Sequence, residues 1–241
     1  MNYALIYAGG VGKRMNSKSK PKQFLEVHEK PIIISTIEHF ENHPDIDEIC
    51  LVCSKEWIEY SWSLIDKFNI KKVKHIVSGG KTAVESQYNG LTAIYKNSFK
   101  TKEDIVLLHD GVRPLIDEKT IDACIAMVKK KGSAITVVPA SETIITTGSD
   151  DEICSTVPRA ECRLARAPQC YYLDDVLGVF ELAKKDEKLN FVDSCSLMMY
   201  YGRKLYTVDG ESENIKVTTP ADFYIYRALL DAKEDSQILG L

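Results

Sequence analysis

The residues best suited to chemistry come early in the chain. Directly after an apolar run at 3–7 stands Ala8-Gly9-Gly10-Val11-Gly12-Lys13-Arg14-Met15. A glycine-rich turn after a first strand lets backbone N–H groups approach phosphate oxygens closely. Two familiar phosphate-binding templates do not fit it. A nucleoside-triphosphate P-loop needs glycine where Tyr7 stands and Ser or Thr where Arg14 stands, and the dinucleotide fingerprint needs a third glycine where Met15 stands. The second failure argues against a dehydrogenase. Lys13, Arg14, Lys18, Lys20 and Lys22 crowd the same stretch, although the whole chain carries a net charge of −4. A basic loop on an acidic protein suits a small, highly charged anion better than a nucleic-acid backbone.

Cysteine offers less. Cys50 and Cys53 are spaced like half of a zinc or redox site, but they fall in an apolar run, 46–53, that reads as a strand. Residues three apart on a strand face opposite ways, and no second pair supplies the remaining ligands. All seven cysteines read as reduced thiols.

The elements that must position the loop follow from periodicity. Strand-like runs at 3–7, 46–53, 72–77, 104–109 and 134–138 alternate with helical stretches at 31–40, 57–68, 82–95 and 118–130. Such alternation predicts an α/β fold: a mostly parallel sheet with helices on both faces and ligands at the carboxyl ends of its strands. The pattern breaks at 140–172, where short strands at 143–147, 152–157 and 169–172 surround the turn Gly148-Ser149-Asp150-Asp151. This stretch reads as a projecting β arm. A helix at 173–184, a strand at 204–208 and a closing helix from Pro220 restore the alternation.

The length of 241 residues, with 44% hydrophobic and 27% charged residues, suits one globular domain. Charges interrupt every apolar run before the roughly 18 residues a membrane helix needs. The first residues lack the basic flank and cleavage site of a secretory signal. These features lead to the expectation of a single cytoplasmic domain, 1–241, that binds neither membrane nor nucleic acid.

The loop continues into Pro21-Lys22-Gln23-Phe24-Leu25, and the combined signature resembles that of the cytidylyltransferases acting on methylerythritol phosphate and ribitol phosphate. Further segments resemble the family in its own order. They are Gly79-Gly80-Lys81-Thr82-Ala83-Val84-Glu85-Ser86, His109-Asp110-Gly111-Val112-Arg113-Pro114, Val138-Pro139-Ala140-Ser141-Glu142-Thr143, Thr156-Val157-Pro158-Arg159, Ala167-Pro168-Gln169, Val192-Asp193-Ser194-Cys195-Ser196 and Asn214-Ile215-Lys216-Val217-Thr218-Thr219-Pro220. Ala83, Glu142, Ala167 and Ser194 depart from the family pattern. Tyr-Ala-Gly-Gly, with five residues between Met15 and Pro21, is closer to the ribitol-phosphate branch.

The resemblance implies a Rossmann-like nucleotidyltransferase that joins CTP to a polyol phosphate. The products would be pyrophosphate and a CDP-polyol, of the kind used as a cell-wall or capsule polysaccharide precursor. Arg14, Lys22 and Lys216 would neutralise the reacting phosphates, the main requirement of phosphoryl transfer. Ala8, Gly9, Gly10, Gly12, Gly80 and Ser86 would hold the nucleotide. Asp110 would face Mg²⁺ and the acceptor, and Thr143 and Arg159 would bind the acceptor phosphate from the arm of a neighbouring subunit in a homodimer. Of the flanking groups, His109 reads as structural. Arg113 either holds its loop or reaches a phosphate, the first being favoured; Asp193 is a helix cap or a catalytic group. The alternatives are methylerythritol-phosphate cytidylylation and a catalytically silent nucleotide-binding partner protein.

Overall fold

The computed structural model describes residues 1–9 and 20–239. Seven strands form the central sheet: β1 (Asn2–Tyr7), β4 (Glu48–Cys53), β5 (Val73–Ser78), β6 (Ile105–Asp110), β7 (Ser133–Pro139), β10 (Arg163–Tyr172) and β11 (Thr207–Asp209). Their order is β11-β7-β10-β6-β1-β4-β5. All neighbours pair in parallel except β10, which runs antiparallel to both β6 and β7. A short hairpin of β2 (Glu26–Val27) and β3 (Lys30–Pro31) and a second of β8 (Ile144–Thr147) and β9 (Ile153–Val157) lie outside it.

The helices are α1 (Ile32–Glu41), α2 (Ile58–Lys67), α3 (Ala83–Asn97), α4 (Glu118–Lys131), α5 (Leu173–Lys185), α6 (Ser194–Tyr200) and α7 (Pro220–Leu239). Strand alternation divides the core. Ala4 and Ile6 of β1 join Ile33, Ile37, Leu64 and Ile125 on the face covered by α1, α2 and α4. Tyr3 and Leu5 join Leu91, Phe180 and Leu197 on the face covered by α3, α5 and α6. This is the period of two expected of a strand buried on both sides.

Local chemistry fixes the ends. Thr82 caps α3 by accepting from Glu85 N at 3.1 Å, and Asp117 caps α4 by accepting from Thr120 N at 2.9 Å. Gly132 ends α4 at φ +89°, a left-handed conformation that glycine adopts without a Cβ clash.

Two features differ from the sequence expectation. α6 does not emerge from periodicity, because seven residues give too short a window. The region 140–172 does not project as a whole: Gln169–Tyr172 pairs with β6 in the middle of the sheet, so only the stretch around β8 and β9 leaves it. Four residues between turn signals do not reveal whether a strand is central or peripheral. Only burial on both sides distinguishes the two cases.

Candidate active site

From β1 the chain crosses to β4 and β5 on one side, then returns past β1 to β6 on the other. The loops after β1 and β6 therefore diverge and leave a crevice at the carboxyl ends of the strands. A cavity of about 620 Å³ lies there. Its wall contains Ala8, Gly9, Lys22, Gly80, Ser86, Asp110 and Lys216. Gly10, Gly12 and Arg14 lie outside the described residues.

Close approach shapes the wall formed by Gly80 and Ser86. Ser86 Oγ donates to the Thr82 carbonyl at 2.9 Å and accepts from Gly80 N at 3.1 Å. Its proton is committed, so it offers a ligand only acceptor capacity. A Cβ at Gly80 would collide with Cβ of Glu85, and one at Gly111 would stand 2.6 Å from Cδ1 of Ile33. Gln23, nearly fully buried, donates from Nε2 to the Ala8 carbonyl at 2.6 Å and so fixes the start of the glycine-rich turn. The sequence reading assigned Gln23 no role, although it sits inside the Pro21–Leu25 signature beside Lys22.

On the opposite wall a charge cluster surrounds Asp110. Lys216 Nζ lies 2.6 Å from Oδ1, and Arg113 Nε donates to Oδ2 at 2.8 Å. Burial pushes the Asp110 carboxyl up, but the two cations outweigh it and hold it down at about 2. Arg113 also donates from Nη1 to the Asn214 carbonyl at 2.9 Å, and Val217 N donates to the Val112 carbonyl at 2.9 Å. These two bonds tie the Lys216 segment to the loop after β6. Arg113 thus anchors loops.

His109 is structural as well. It is fully buried, its Nε2 lies 3.1 Å from the Arg113 carbonyl, and burial lowers its pKa to about 4. Because a carbonyl only accepts, Nε2 carries the proton. Asp193 caps α6, with Oδ1 accepting from Ser196 N at 2.8 Å, and Oδ2 takes a hydrogen bond from Gln169 Nε2 at 2.9 Å. Gln169 Oε1 accepts in turn from Ser194 Oγ and Cys195 N.

Thr143 and Arg159 do not reach the cavity within this chain. Both are exposed, and Arg159 Nη1 donates to the Ser141 carbonyl at 3.2 Å.

Among the described residues, His43, Glu118 and Asp122 are the group whose ligand atoms cluster closely enough for a metal, all within 4.8 Å. His43 and Glu118 line a different cavity, of about 480 Å³. His43 Nδ1 accepts from Asp45 N at 3.2 Å, so the neutral ring carries its proton on Nε2, which faces Asp122 at 3.3 Å. With Nδ1 engaged, a cation here would have to take the place of the Nε2 proton, which itself meets no hydrogen-bond partner. The cysteines are all free thiols, as expected, and Cys50 and Cys53 are both buried.

The family model described as 2-C-methyl-D-erythritol 4-phosphate cytidylyltransferase (IspD) matches residues 3–232. A ribitol-5-phosphate cytidylyltransferase of Streptococcus agalactiae is 47% identical over 241 residues, covering 100% of both chains. One from Vibrio parahaemolyticus is 47% identical over 240 residues, again covering 100% of both. A 2-C-methyl-D-erythritol 4-phosphate cytidylyltransferase of Clostridium botulinum is 36% identical over 230 residues, 95% of this chain and 97% of that one. Among solved structures, 4-diphosphocytidyl-2C-methyl-D-erythritol synthase from Anaerococcus prevotii superposes with a TM-score of 0.81 at 26% identity, covering 95% of this chain and 96% of the other. Among the described residues no helix is long and apolar enough to cross a membrane.

Proposed function

The chain belongs to the IspD family of CTP-dependent cytidylyltransferases, and on that premise we propose that it transfers CMP from CTP to ribitol 5-phosphate. The observation that carries the choice of acceptor is the identity gap. Relatives named for ribitol 5-phosphate match at 47% over the full chain, against 36% for one named for methylerythritol phosphate. The intact cations Lys22 and Lys216 favour an active enzyme over a silent partner protein.

In the reaction an acceptor phosphate oxygen attacks the α-phosphorus of CTP in line. A P–O bond forms to the acceptor, the bond to the β-phosphate oxygen breaks, and pyrophosphate leaves with that electron pair. The acceptor phosphate is ionised near neutral pH, so no general base is required, and catalysis is positioning and charge neutralisation. Lys22 and Lys216 act on the triphosphate, with Lys216 passing from Asp110 towards the α-phosphate. By resemblance Arg14 joins them. Ala8, Gly9, Gly10, Gly12 and Gly80 hold the nucleotide. Ser86, able only to accept, suits the exocyclic amino group of cytosine rather than the carbonyl that uracil carries there.

Enzymes of this family generally use a divalent cation, and we assign Mg²⁺ to Asp110. The donor set fits: the carboxylate is ionised, and each oxygen keeps a lone pair beyond the one engaged by Lys216 or Arg113. Mg²⁺ commonly takes one or two carboxylates and completes its shell with substrate phosphates and water. When bound, it would neutralise charge on the departing pyrophosphate.

Thr143 and Arg159 serve the acceptor phosphate of a neighbouring subunit in a homodimer with exchanged arms. Supporting this are the β8–β9 hairpin, which leaves Ile145 and Ile153 exposed, and the wall of the chain's own cavity, to which Arg159 does not contribute. A reaction that draws on CTP places the enzyme in the cytoplasm. The deciding experiment is a pyrophosphate-release screen with CTP against ribitol 5-phosphate, other pentitol and sugar phosphates, and methylerythritol phosphate. Preference for methylerythritol phosphate would reverse the choice of acceptor.

A further inference from the structure

Arg166 lies on β10 just before that strand reaches the end of β6. The paired residues Gln169 and Leu108 mark the approach, and Asp110 lies two residues beyond Leu108. Asn214 connects the two places: its Nδ2 donates to the Ala167 carbonyl at 3.0 Å, while its own carbonyl accepts from Arg113. Arg166 is partly buried. Among the described residues its guanidinium makes no hydrogen bond and no ion pair. Residues 10–19 contain no aspartate or glutamate to offer it.

A guanidinium in this position is costly to the free protein. It is partly withdrawn from water and stands near Arg113, and both effects lower its pKa, burial more than repulsion. Arg113 has Nε and Nη1 committed to Asp110 and Asn214, whereas the whole donor fork of Arg166 is available. A planar fork of this kind matches a phosphate monoester dianion. Lys22 and Lys216 line the cavity and serve the triphosphate, whereas Arg166 stands outside that wall, near Arg113. The acceptor's own phosphate, held by Arg159 of the neighbouring subunit in the reading above, has no cation yet assigned to it within this subunit. We propose that Arg166 binds the acceptor phosphate from within the same subunit and selects phosphorylated over unphosphorylated polyols. This assignment rests on the polyol-phosphate reading above and adds to the arm contacts a residue that needs no partner chain.

The test compares wild type with Arg166→Leu and Arg166→Lys in initial-rate pyrophosphate release, varying CTP and the acceptor separately. Arg166→Leu should raise KM for ribitol 5-phosphate roughly 10- to 100-fold, the scale of losing a charge-assisted hydrogen-bonded partner. KM for CTP should stay within about twofold. Arg166→Lys should recover part of the loss, since it keeps charge without the fork. Inhibition by free ribitol should be the same in Arg166→Leu as in wild type. The melting temperature of Arg166→Leu should be no lower than wild type, because the substitution removes a repulsive neighbour of Arg113. An unchanged acceptor KM overturns the proposal. So does a rise in KM for CTP instead, or a fall in melting temperature with equal losses on both substrates. If wild type turns over no polyol phosphate at all, the acceptor reading fails and the role of Arg166 fails with it. If wild type is active and Arg166→Leu matches it, only the role of Arg166 is lost.

Discussion

The loop after β6 and the β8–β9 hairpin represent two opposite ways of holding charge for catalysis. Around Asp110 the carboxylate and Arg113 are buried, the charges compensate one another, and Arg113 and Lys216 tie the loop to the segment at 214–217. At the hairpin, Thr143 and Arg159 are exposed, and the guanidinium is held by one backbone carbonyl. The first region is organised before any ligand arrives. The second is a two-stranded ribbon, marginal by itself, and gains a fixed position only against another surface. In the proposed function, preorganised charge serves the step common to the family, and contingent charge serves recognition of the acceptor.

The largest effect that would separate the two regions is on turnover. Lys216→Ala or Lys22→Ala should cut kcat by on the order of 10²–10³ with the fold intact, as expected for one preorganised charge partner. Near-normal turnover at saturating substrate would remove the residue from the catalytic set. Next comes a recovery experiment across subunits. Lys22→Ala and Arg159→Ala, unfolded together and refolded as a mixture, should regain up to about a quarter of wild-type activity, because each mixed dimer owns one intact site. A mixture that contains mixed dimers yet stays inactive would mean that the hairpin serves its own subunit.

A smaller effect is expected in acid. The Asp110 carboxyl is depressed to about 2 in the folded chain, against an ordinary 3.8. Its contribution is complete above about pH 4 and is lost as pH falls towards 2, amounting to ~2 kcal/mol. His109, lowered from 6.5 to about 4, acts earlier in the same direction, because acid must protonate a ring that folding keeps neutral. Urea titrations from pH 7 to pH 2.5 should show both losses, and Asp110→Asn should flatten the lower one only. The smallest effect belongs to the hairpin. Ile145→Ser with Ile153→Ser should leave the melting temperature of dilute, monomeric protein within a degree or two, since both side chains are exposed. The same pair should weaken self-association measured by sedimentation.

The preorganised region was also the more legible one. Ala8, Gly9, Lys22, Gly80, Ser86, Asp110 and Lys216 occupy four separate stretches of sequence, yet all line one cavity, because loops at the carboxyl ends of parallel strands converge whatever their spacing. Strand and helix positions were readable where a period had room to repeat, as in α3 and α4. It had no room in α6, whose cap at Asp193 was one of two readings the sequence left open. The role of Gln23 was hidden for a different reason. Its contribution is one hydrogen bond to the backbone of Ala8, and a side chain's partner across fifteen residues leaves no mark on composition or periodicity. Arg166 carries no mark in the sequence because what distinguishes it is the lack of a counter-ion among the described residues, which only the folded neighbourhood reveals.

The placement of β8 and β9 between β7 and β10 has a structural consequence. β7 and β10 are adjacent in the sheet and pair from Ser133–Tyr171 up to Pro139–Arg163, so the chain leaves and re-enters the fold at one spot. A ribbon inserted this way can be lengthened, shortened or exchanged with little change to the strands that anchor it. The loops proposed to bind the nucleotide follow β1, β5 and β6, outside the insertion. If the hairpin serves the acceptor as proposed, acceptor choice can diversify on a module hung from a closed seam, while the nucleotide half of the protein stays unaltered.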